Sequence, residues 1–210
     1  MKPTFRQFIE DMANPKAPGP STTFTVSHIF FALELLAEKP IGRNMLSRKI
    51  DVGEGTIRTL ISRFRNRGLI ETSRSGCVLT NKGCLVWKKF EELFPKRAKI
   101  GKTELTNAEH NYAFLVRNSG HNVRSGIEQR DAAIIAGATD AIVVVHKQGQ
   151  LTIESVSKDL KQRFPAATNQ IIKTFNPENN DAVVIVGATD PWKAKHGAFA
   201  ASWTLIRDAA

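Results

Sequence analysis

The chain has 210 residues, of which 41% are hydrophobic and 24% are charged, and its formal net charge is +10. This length allows two domains of about 100 residues each, and the hydrophobic content excludes a disordered chain. The sequence has no apolar run of about 18 residues, which excludes a transmembrane helix, and Glu10 and Asp11 exclude a signal peptide at the start. We therefore expect a cytoplasmic protein.

The net positive charge of the chain arises entirely within residues 1–102. Residues 1–102 contain 19 Lys and Arg against 9 Asp and Glu, whereas residues 103–210 contain 11 of each kind. A basic domain joined to a neutral one is typical of a nucleic-acid-binding protein whose second domain has another role.

The first 24 residues predict a short helix and a proline-rich arm. The helix covers about Thr4 to Ala13 and either packs on the next domain or contributes to a dimer contact. Residues 14–21 contain three prolines and a glycine, which exclude a helix or strand there. The next predicted helix begins at Thr25 or Ser27 and ends at Lys39-Pro40, with His28 expected to be a structural histidine.

Residues 41–83 predict two helices joined by a turn and followed by a hairpin. The first helix covers about 42–50, with Met45, Leu46 and Ile50 directed inward, and the second covers about 54–67. We attribute the sharp path of the intervening turn, residues 51–55, to its glycines. Gly68 is expected to end the second helix in the left-handed conformation. Two strands, 69–72 and 77–80, then flank a turn with Arg74 at its tip.

The second helix has one apolar and one polar face. Its apolar residues follow the i, i+3, i+4, i+7 spacing of a buried helical face: Ile57, Leu60, Ile61 and Phe64. The opposite face carries short polar residues and arginines, which suit base edges and phosphates of DNA. The predicted DNA-binding residues are Arg58, Thr59, Ser62 and Asn66 at the bases, Thr56 close to the groove, and Arg63, Arg65, Arg74 and Lys82 at the phosphates.

Residues 25–94 resemble the winged helix-turn-helix domains of prokaryotic and archaeal transcription regulators. The resemblance rests on Arg67-Gly68-Leu69-Ile70 at the junction of helix and wing, and on Leu79-Thr80-Asn81-Lys82-Gly83 where the chain leaves the wing. It implies that the 54–67 helix enters the major groove of double-stranded DNA and that the wing, residues 69–80, touches the backbone or minor groove. A winged helix used only for protein contacts is the alternative.

A helix from Thr80 to about Phe94 follows the wing, and in such regulators it often forms the dimer. Because palindromic DNA sites need a two-fold protein, we expect a homodimer. Pro95 ends this domain, residues 25–95, and the basic run 96–102 is predicted to be a linker that either touches phosphates or is solvated. Cys77 and Cys84 are interpreted as two unpaired thiols in a reducing compartment, with a redox pair as the alternative.

Residues 103–210 predict an α+β domain. The order strand, helix, strand, strand, helix, strand, helix indicates one mixed or antiparallel sheet with helices packed on one face, an α+β sandwich. We find no catalytic set, phosphate-binding loop or metal-type spacing, and we expect neither an enzyme nor a cofactor or metal.

A small-molecule effector site and a dimerisation role are both open for this domain. Polar residues gather in the loop 117–126 and the helix after it, and a second candidate lies at the junction with Asp190 and Trp192. The candidate ligand-binding residues are Arg117, His121, Arg124, Glu128, Arg130, Asp131 and Asp190. The structural alternative is that Glu128 and Asp131 complement a helix dipole and that Asp190 caps a helix.

The whole chain resembles a group of archaeal two-domain proteins with a winged helix and a C-terminal α+β domain of unknown function. Besides the winged helix, this rests on Gly126-Ile127-Glu128-Gln129-Arg130-Asp131-Ala132-Ala133 and Gly197-Ala198-Phe199-Ala200-Ala201-Ser202-Trp203. The resemblance implies a sequence-specific DNA-binding transcriptional regulator. The alternatives are an enzyme with an accessory winged helix and a non-specific nucleic-acid or chromatin-binding protein.

Overall fold

The computed structural model describes residues 3–14, 23–154 and 156–207 and divides the chain into two compact units, with the boundary between Glu91 and Glu92. Most of the predicted proline-rich arm lies outside the described residues. Within them, no helix is long and apolar enough to cross a membrane.

The first unit has the predicted order of helix, turn, helix and hairpin. Strands β1 and β2 form an antiparallel hairpin, and Ile41 adds a bridge to Cys77 on the outer side of β2. Helices and strands occur in both units, which confirms the α+β class predicted for the chain. The elements are α1 (Phe5–Ala13), α2 (Val26–Glu38), α3 (Arg43–Lys49), α4 (Glu54–Asn66), β1 (Ile70–Ser73), β2 (Gly76–Leu79) and α5 (Asn81–Leu93).

Aromatic rings form the core of the first unit. The Phe30 ring lies 5.1 Å from that of Phe90 and 5.5 Å from that of Trp87, and Phe5 of α1 packs edge-on against Phe90 at 5.0 Å. Because Ile9 and Met12 of α1 are also fully buried, this helix packs on the winged domain, which was the first of its two predicted roles.

The start of α2 explains His28. The backbone N–H of Thr25 donates a hydrogen bond to Nδ1 of His28 at 3.0 Å, and burial lowers the pKa of the imidazole from its ordinary value. His28 is therefore a neutral group at the helix start, as expected of a structural histidine.

The turns around α4 agree with the sequence at one end and differ at the other. Gly68 has φ 68°; its N–H donates to the carbonyl of Arg65, and the N–H of Leu69 donates to that of Phe64, so α4 ends in the predicted left-handed cap. Before α4, the left-handed residue is Asp51 (φ 53°), not a glycine. An aspartate tolerates this conformation, and the glycine explanation was wrong.

One inward assignment in α3 is also wrong. Leu46 and Ile50 are fully buried, but Met45 is 50% exposed.

The second unit is built on a five-stranded sheet in which all neighbouring strands are antiparallel. Its strands are β3 (Lys96–Ile100), β4 (His110–Val116), β5 (Asp140–Lys147), β6 (Gln150–Thr152) and β7 (Ala182–Ala188), in the spatial order β3-β4-β7-β5-β6. Of the two predicted alternatives, the antiparallel one is confirmed.

The basic run 96–102 is not a linker over most of its length. Its first five residues form β3, from Lys96 opposite Leu115 to Ile100 opposite Asn111. The strand alternates: Ala98 and Ile100 join the core, while Lys99 is exposed. A half-buried edge strand with charged residues on its free face has the composition of a solvated linker, and this explains the wrong prediction.

Helices cover both faces of the sheet, so the expectation of a single covered face was wrong. On one face, α7 (Leu160–Arg163) and α8 (Pro165–Phe175) complete a core containing Leu160, Ile171 and Phe175. On the other face lie α6 (Ile127–Ile135) and α9 (Pro191–Trp203), with Phe199 packed against Phe114 at 6.0 Å. The central strand β7 is buried at every residue, as two covered faces require.

Candidate nucleic-acid interface

The outward face of α4 is a continuous polar surface on a rigid base. On the inward side, Ile57, Leu60 and Phe64 are at most 1% exposed, whereas Ile61 is half-buried. Five of the predicted DNA-binding residues are exposed together on the outward side: Arg58, Thr59, Ser62, Arg65 and Asn66. Packing therefore fixes the helix while leaving these side chains available.

Arg58 is held only weakly by its neighbour. Its guanidinium lies 3.0 Å from the carboxylate of Glu54 one turn earlier, and the two side chains are 61% and 68% exposed. An exposed i, i+4 pair of this kind contributes about 0.3–0.5 kcal/mol. A base edge or a phosphate can therefore replace Glu54 as the partner of Arg58.

Thr56 differs from the residues beside it. It is half-buried, and its hydroxyl oxygen lies 2.5 Å from that of Thr23. This hydrogen bond attaches α4 to the segment before α2 and uses one of the positions through which the Thr56 hydroxyl could contact DNA.

Arg63 was predicted to hold a phosphate, and the structure corrects this. The residue is only 8% exposed; its Nη1 donates to the carbonyls of Met12 at 2.5 Å and Asn14 at 2.6 Å, and its guanidinium lies 5.0 Å from the centre of the Phe24 ring. These carbonyls are at the C-terminal end of α1, where a helix has no backbone donors left and favours a cation. Arg63 therefore caps α1. Its burial, and to a smaller extent the nearby positive charge of Arg67, lower the pKa of its guanidinium.

The wing has one exposed arginine, and its second strand lies very close to the backbone of Ile41. Arg74 is exposed at the tip between β1 and β2. Gly76, at φ 123°, lets β2 approach the backbone of Ile41, where an added Cβ would lie 2.5 Å from the carbonyl carbon.

Lys82 is exposed, but it has an internal partner. Its Nζ donates to the carbonyl of Arg67 at 2.8 Å and lies 5.7 Å from the centre of the Phe8 ring. The side chain thus satisfies a carbonyl at the end of α4, which makes Arg74 the clearer candidate for a phosphate contact.

The two cysteines have different environments. Cys77 is buried in β2 and Cys84 is exposed on α5, and both are free thiols. Burial raises the pKa of Cys77, so little reactive thiolate forms there, and this does not favour the redox-pair alternative.

Arg117 of the second unit belongs to a structural network. Its Nη1 lies 2.9 Å from the carboxylate of Asp181 and 3.1 Å from that of Glu178. Asp181 is 1% exposed and also accepts hydrogen bonds from the backbone N–H groups of Asn118 and Glu178, both at 2.9 Å. The network ties the end of β4 to the start of β7. Asp181, absent from the predicted residues, is its centre.

Asp190 caps α9, as the structural alternative stated. Its carboxylate accepts from the backbone N–H groups of Trp192 at 2.8 Å and Lys193 at 3.0 Å, and Pro191 occupies the first turn. His121 is likewise engaged, since its backbone N–H donates to Asn180 and its Nδ1 lies 2.9 Å from the Asn180 amide nitrogen.

The remaining predicted ligand residues do not converge on one site. Glu128 lies 3.6 Å from Arg207, Arg130 pairs with Asp131 at 3.1 Å, and Arg124 is exposed. Arg130 borders a cleft of about 200 Å³ beside α6, whereas His121 borders a different cleft beside the β5–β6 hairpin. In the part of the chain that the structure describes, no group of three or more His, Cys, Asp or Glu residues could hold a metal ion.

Comparison with known proteins supports the two-domain organisation. Residues 26–85 match a family model described as "PH0730-like, N-terminal domain", and residues 107–205 match one described as "Domain of unknown function (DUF4443)". The fold is similar to that of a solved structure, "Hypothetical protein PH0730 from Pyrococcus horikoshii OT3", with a TM-score of 0.68 and 26% sequence identity over 87% of this chain and 92% of that one. No functionally curated protein matches the chain. The two family matches and the structural similarity together fit a two-domain protein similar to this archaeal one.

Proposed function

We propose that the protein is a transcriptional regulator that binds double-stranded DNA at specific sequences, with α4 in the major groove. The outward face of α4 carries this proposal: arginines and short polar side chains are exposed together on a helix whose inward residues Ile57, Leu60 and Phe64 are buried. Arginine pairs with guanine, asparagine with adenine, and Ser or Thr with either base. The proposal assigns the protein no catalytic activity and no cofactor.

Charge supports the same assignment. The net positive charge of the chain arises within residues 1–102, where 19 Lys and Arg outnumber 9 Asp and Glu. In the proposed complex, Arg65 at the end of α4 and Arg74 at the tip of the wing contact phosphates.

Replacement of Arg58 by alanine tests the base-reading role. We expect Arg58→Ala to weaken binding to the preferred site by about 1–3 kcal/mol, or roughly 5- to 150-fold, and to relax the preference at one base position. The preferred site is first obtained by selection from a random duplex pool at near-physiological salt, and both proteins are then titrated against it and against point variants of it.

Arg74→Ala and Arg124→Ala are the matched comparisons. Arg74→Ala should weaken binding to all sequences alike and reduce the salt slope by about 0.9, whereas Arg124→Ala, an exposed arginine of the second unit, should change neither. If the pool yields no enriched sequence, or Arg58→Ala affects all duplexes equally, binding is non-specific and the regulator proposal fails.

We also propose that the protein acts as a homodimer and that α6 forms the contact. Three isoleucines on the outer side of this helix are exposed: Ile127 by 53%, Ile134 by 44% and Ile135 by 88%. Val156, 49% exposed, borders the same cleft as Ile127 and extends the apolar surface. In α5, the helix expected from the sequence to form the dimer, Leu85 is the large apolar residue exposed in this way, at 69%. The larger apolar surface is therefore on α6.

The order of residues on α6 suits pairing with a second copy. Ile127 and Ile134 lie at equal distances in sequence from a point between Arg130 and Asp131. Two antiparallel copies related by a two-fold axis through that point place Ile127 opposite the partner's Ile134, and Arg130 close to the partner's Asp131. Hydrophobic contact and charge pairing then coincide in one self-complementary surface.

The double substitution Ile134→Glu with Ile135→Glu tests this contact. We expect the protein to sediment as a dimer at tens of micromolar concentration and the double variant as a monomer, since the added carboxylates would lie against the partner's Ile127 and could not be buried there without a partner charge. Ile172→Glu is the control, because Ile172 is 49% exposed on a different helix, α8. A double variant that remains dimeric would remove α6 from the interface.

A further inference from the structure

A cleft that the proposed DNA-binding and dimer surfaces do not use lies within the second unit, at the edge of the sheet. It has a volume of about 360 Å³, and its walls are mainly apolar. The side chains that matter for its chemistry come from β3, β4 and the first turns of α9: Lys99, His110, Tyr112, Trp192 and Lys195.

The topology explains why the cleft is open. Helix α9 rests on β4 and β7, whereas β3 is the edge strand beyond β4. Lys99 pairs directly with Tyr112 across the β3–β4 ladder. The side chain of Tyr112 is therefore left half-buried beside an exposed lysine.

Aromatic rings and ammonium groups meet in this cleft. The Nζ of Lys195 lies 5.9 Å from the centre of the Tyr112 ring, which is within the range of a cation–π contact. Trp192 is half-buried, and its ring lies 4.2 Å from that of His196 on the inner side of α9. The Trp192 indole therefore packs against His196 and also lines the cleft.

The charges in the cleft are of one sign. Its described lining residues include Lys99 and Lys195 but no acid. Two acids flank the lining residues in sequence: Asp190 accepts hydrogen bonds from the first backbone amides of α9, and Glu109 lies 3.9 Å from Nε2 of His110. An anion that enters the cleft therefore meets two lysines among the side chains that line it.

We propose that this cleft binds a small planar aromatic carboxylate. The ring lies against Tyr112 and Trp192, and the carboxylate receives hydrogen bonds from Lys99 and Lys195. The volume suits one or two fused rings, at the lower end of the range for small-molecule sites. The claim that this ligand is an effector rests on the proposed function. The claim that the second unit binds it does not.

Titration of the full chain with 2-naphthoate tests the site, with the neutral 2-naphthalenemethanol as the matched ligand. We expect calorimetry to show at least about tenfold tighter binding of the carboxylate, because the charged group is the one that the lysines recognise. Binding should also change the fluorescence of Trp192, the half-buried tryptophan, and this change should disappear in Trp192→Phe.

Two substitutions locate the ligand. Lys195→Gln should weaken 2-naphthoate binding about tenfold and leave that of the neutral compound unchanged, whereas Lys173→Gln, at an exposed lysine of α8, should change neither. Equal affinity for the two compounds, or no effect of Lys195→Gln, would overturn the proposal. Tighter binding of adenosine monophosphate than of 2-naphthoate would also overturn it, because the cleft would then be a nucleotide site.

The effector role is tested separately. Adding 2-naphthoate should shift the affinity for the selected DNA site in the parent protein but not in Lys195→Gln. Ligand binding without such a shift would overturn the effector role. A missing DNA site would instead count against the proposed function alone, since the titration contains no DNA.

Discussion

Replacing Arg63 by methionine should lower the free energy of unfolding of the first unit by about 3–5 kcal/mol. The guanidinium donates to two carbonyls at the end of α1, and a hydrogen bond to a charged group contributes about 1.5–3 kcal/mol. Methionine keeps the unbranched stem against Phe24 but leaves both carbonyls without this donor. Amide hydrogen exchange across α1 and α4 in the full chain measures the loss for the first unit alone.

Arg65→Met provides the comparison, since Arg65 is exposed two residues further along α4. Arg65→Met should leave amide exchange unchanged and weaken DNA binding. Arg63→Met should instead accelerate amide exchange, while the protein that remains folded should bind DNA as the parent does. If Arg63 contacts phosphate instead, its replacement will flatten the salt dependence of binding and leave exchange as it was.

A single methyl group at Gly83 should destabilise the first unit by about 3 kcal/mol or more. Gly83 lies in the first turn of α5, where an added Cβ would lie 2.1 Å from the carbonyl oxygen of Leu69 and 3.1 Å from the side chain of Leu79. That carbonyl already accepts a hydrogen bond from the backbone N–H of Thr80 at 3.0 Å. It cannot move away from the added Cβ without breaking this hydrogen bond. The cost of overpacking, commonly about 1–3 kcal/mol, should therefore reach its upper range or exceed it in Gly83→Ala.

Gly55→Ala is the matched substitution in the first turn of α4. Apart from the neighbouring backbone of α4 itself, no atom of the described residues lies within 4 Å of a Cβ added at Gly55, so alanine should stabilise the helix by about 0.5–1 kcal/mol. Chemical unfolding of the two variants under one condition gives the comparison. Similar effects of the two changes would mean that helix propensity, rather than the contact with Leu69, decides the role of Gly83.

Local rules were sufficient for the buried side of α4 and for its C-terminal end. The spacing of Ile57, Leu60 and Phe64 determines which side is buried, and Gly68 is the residue that a left-handed cap favours, so neighbours in sequence settle both. Arg63 could not be assigned in this way. Its partners, Met12 and Asn14, lie 51 and 49 residues earlier, and an arginine beside an apolar stripe is usually exposed.

The second unit shows the same limit for strands and polar clusters. A lysine-rich edge strand such as β3 is recognised only through its partner β4, because its own composition is that of a linker. Arg117 and Asp190 were chosen for a ligand site because polar residues crowd around them, yet a buried carboxylate and a helix start account for both. The cleft at Tyr112 combines residues of the consecutive strands β3 and β4 with residues of α9, which is distant in sequence, and of these only Trp192 was singled out from the sequence.

The position of β7 in the sheet has a consequence for synthesis of the protein. This central strand is the last of the five in sequence, with His110 paired to Ala188 on one side and Val145 paired to Ala182 on the other. Until β7 leaves the ribosome, only the β3–β4 and β5–β6 pairings of this sheet are available, and β4 and β5 lack their shared neighbour, whereas both strands of the first unit have already been synthesised. The nascent second unit therefore passes through a period open to misassociation, during which its folding depends on contacts between distant parts of the chain.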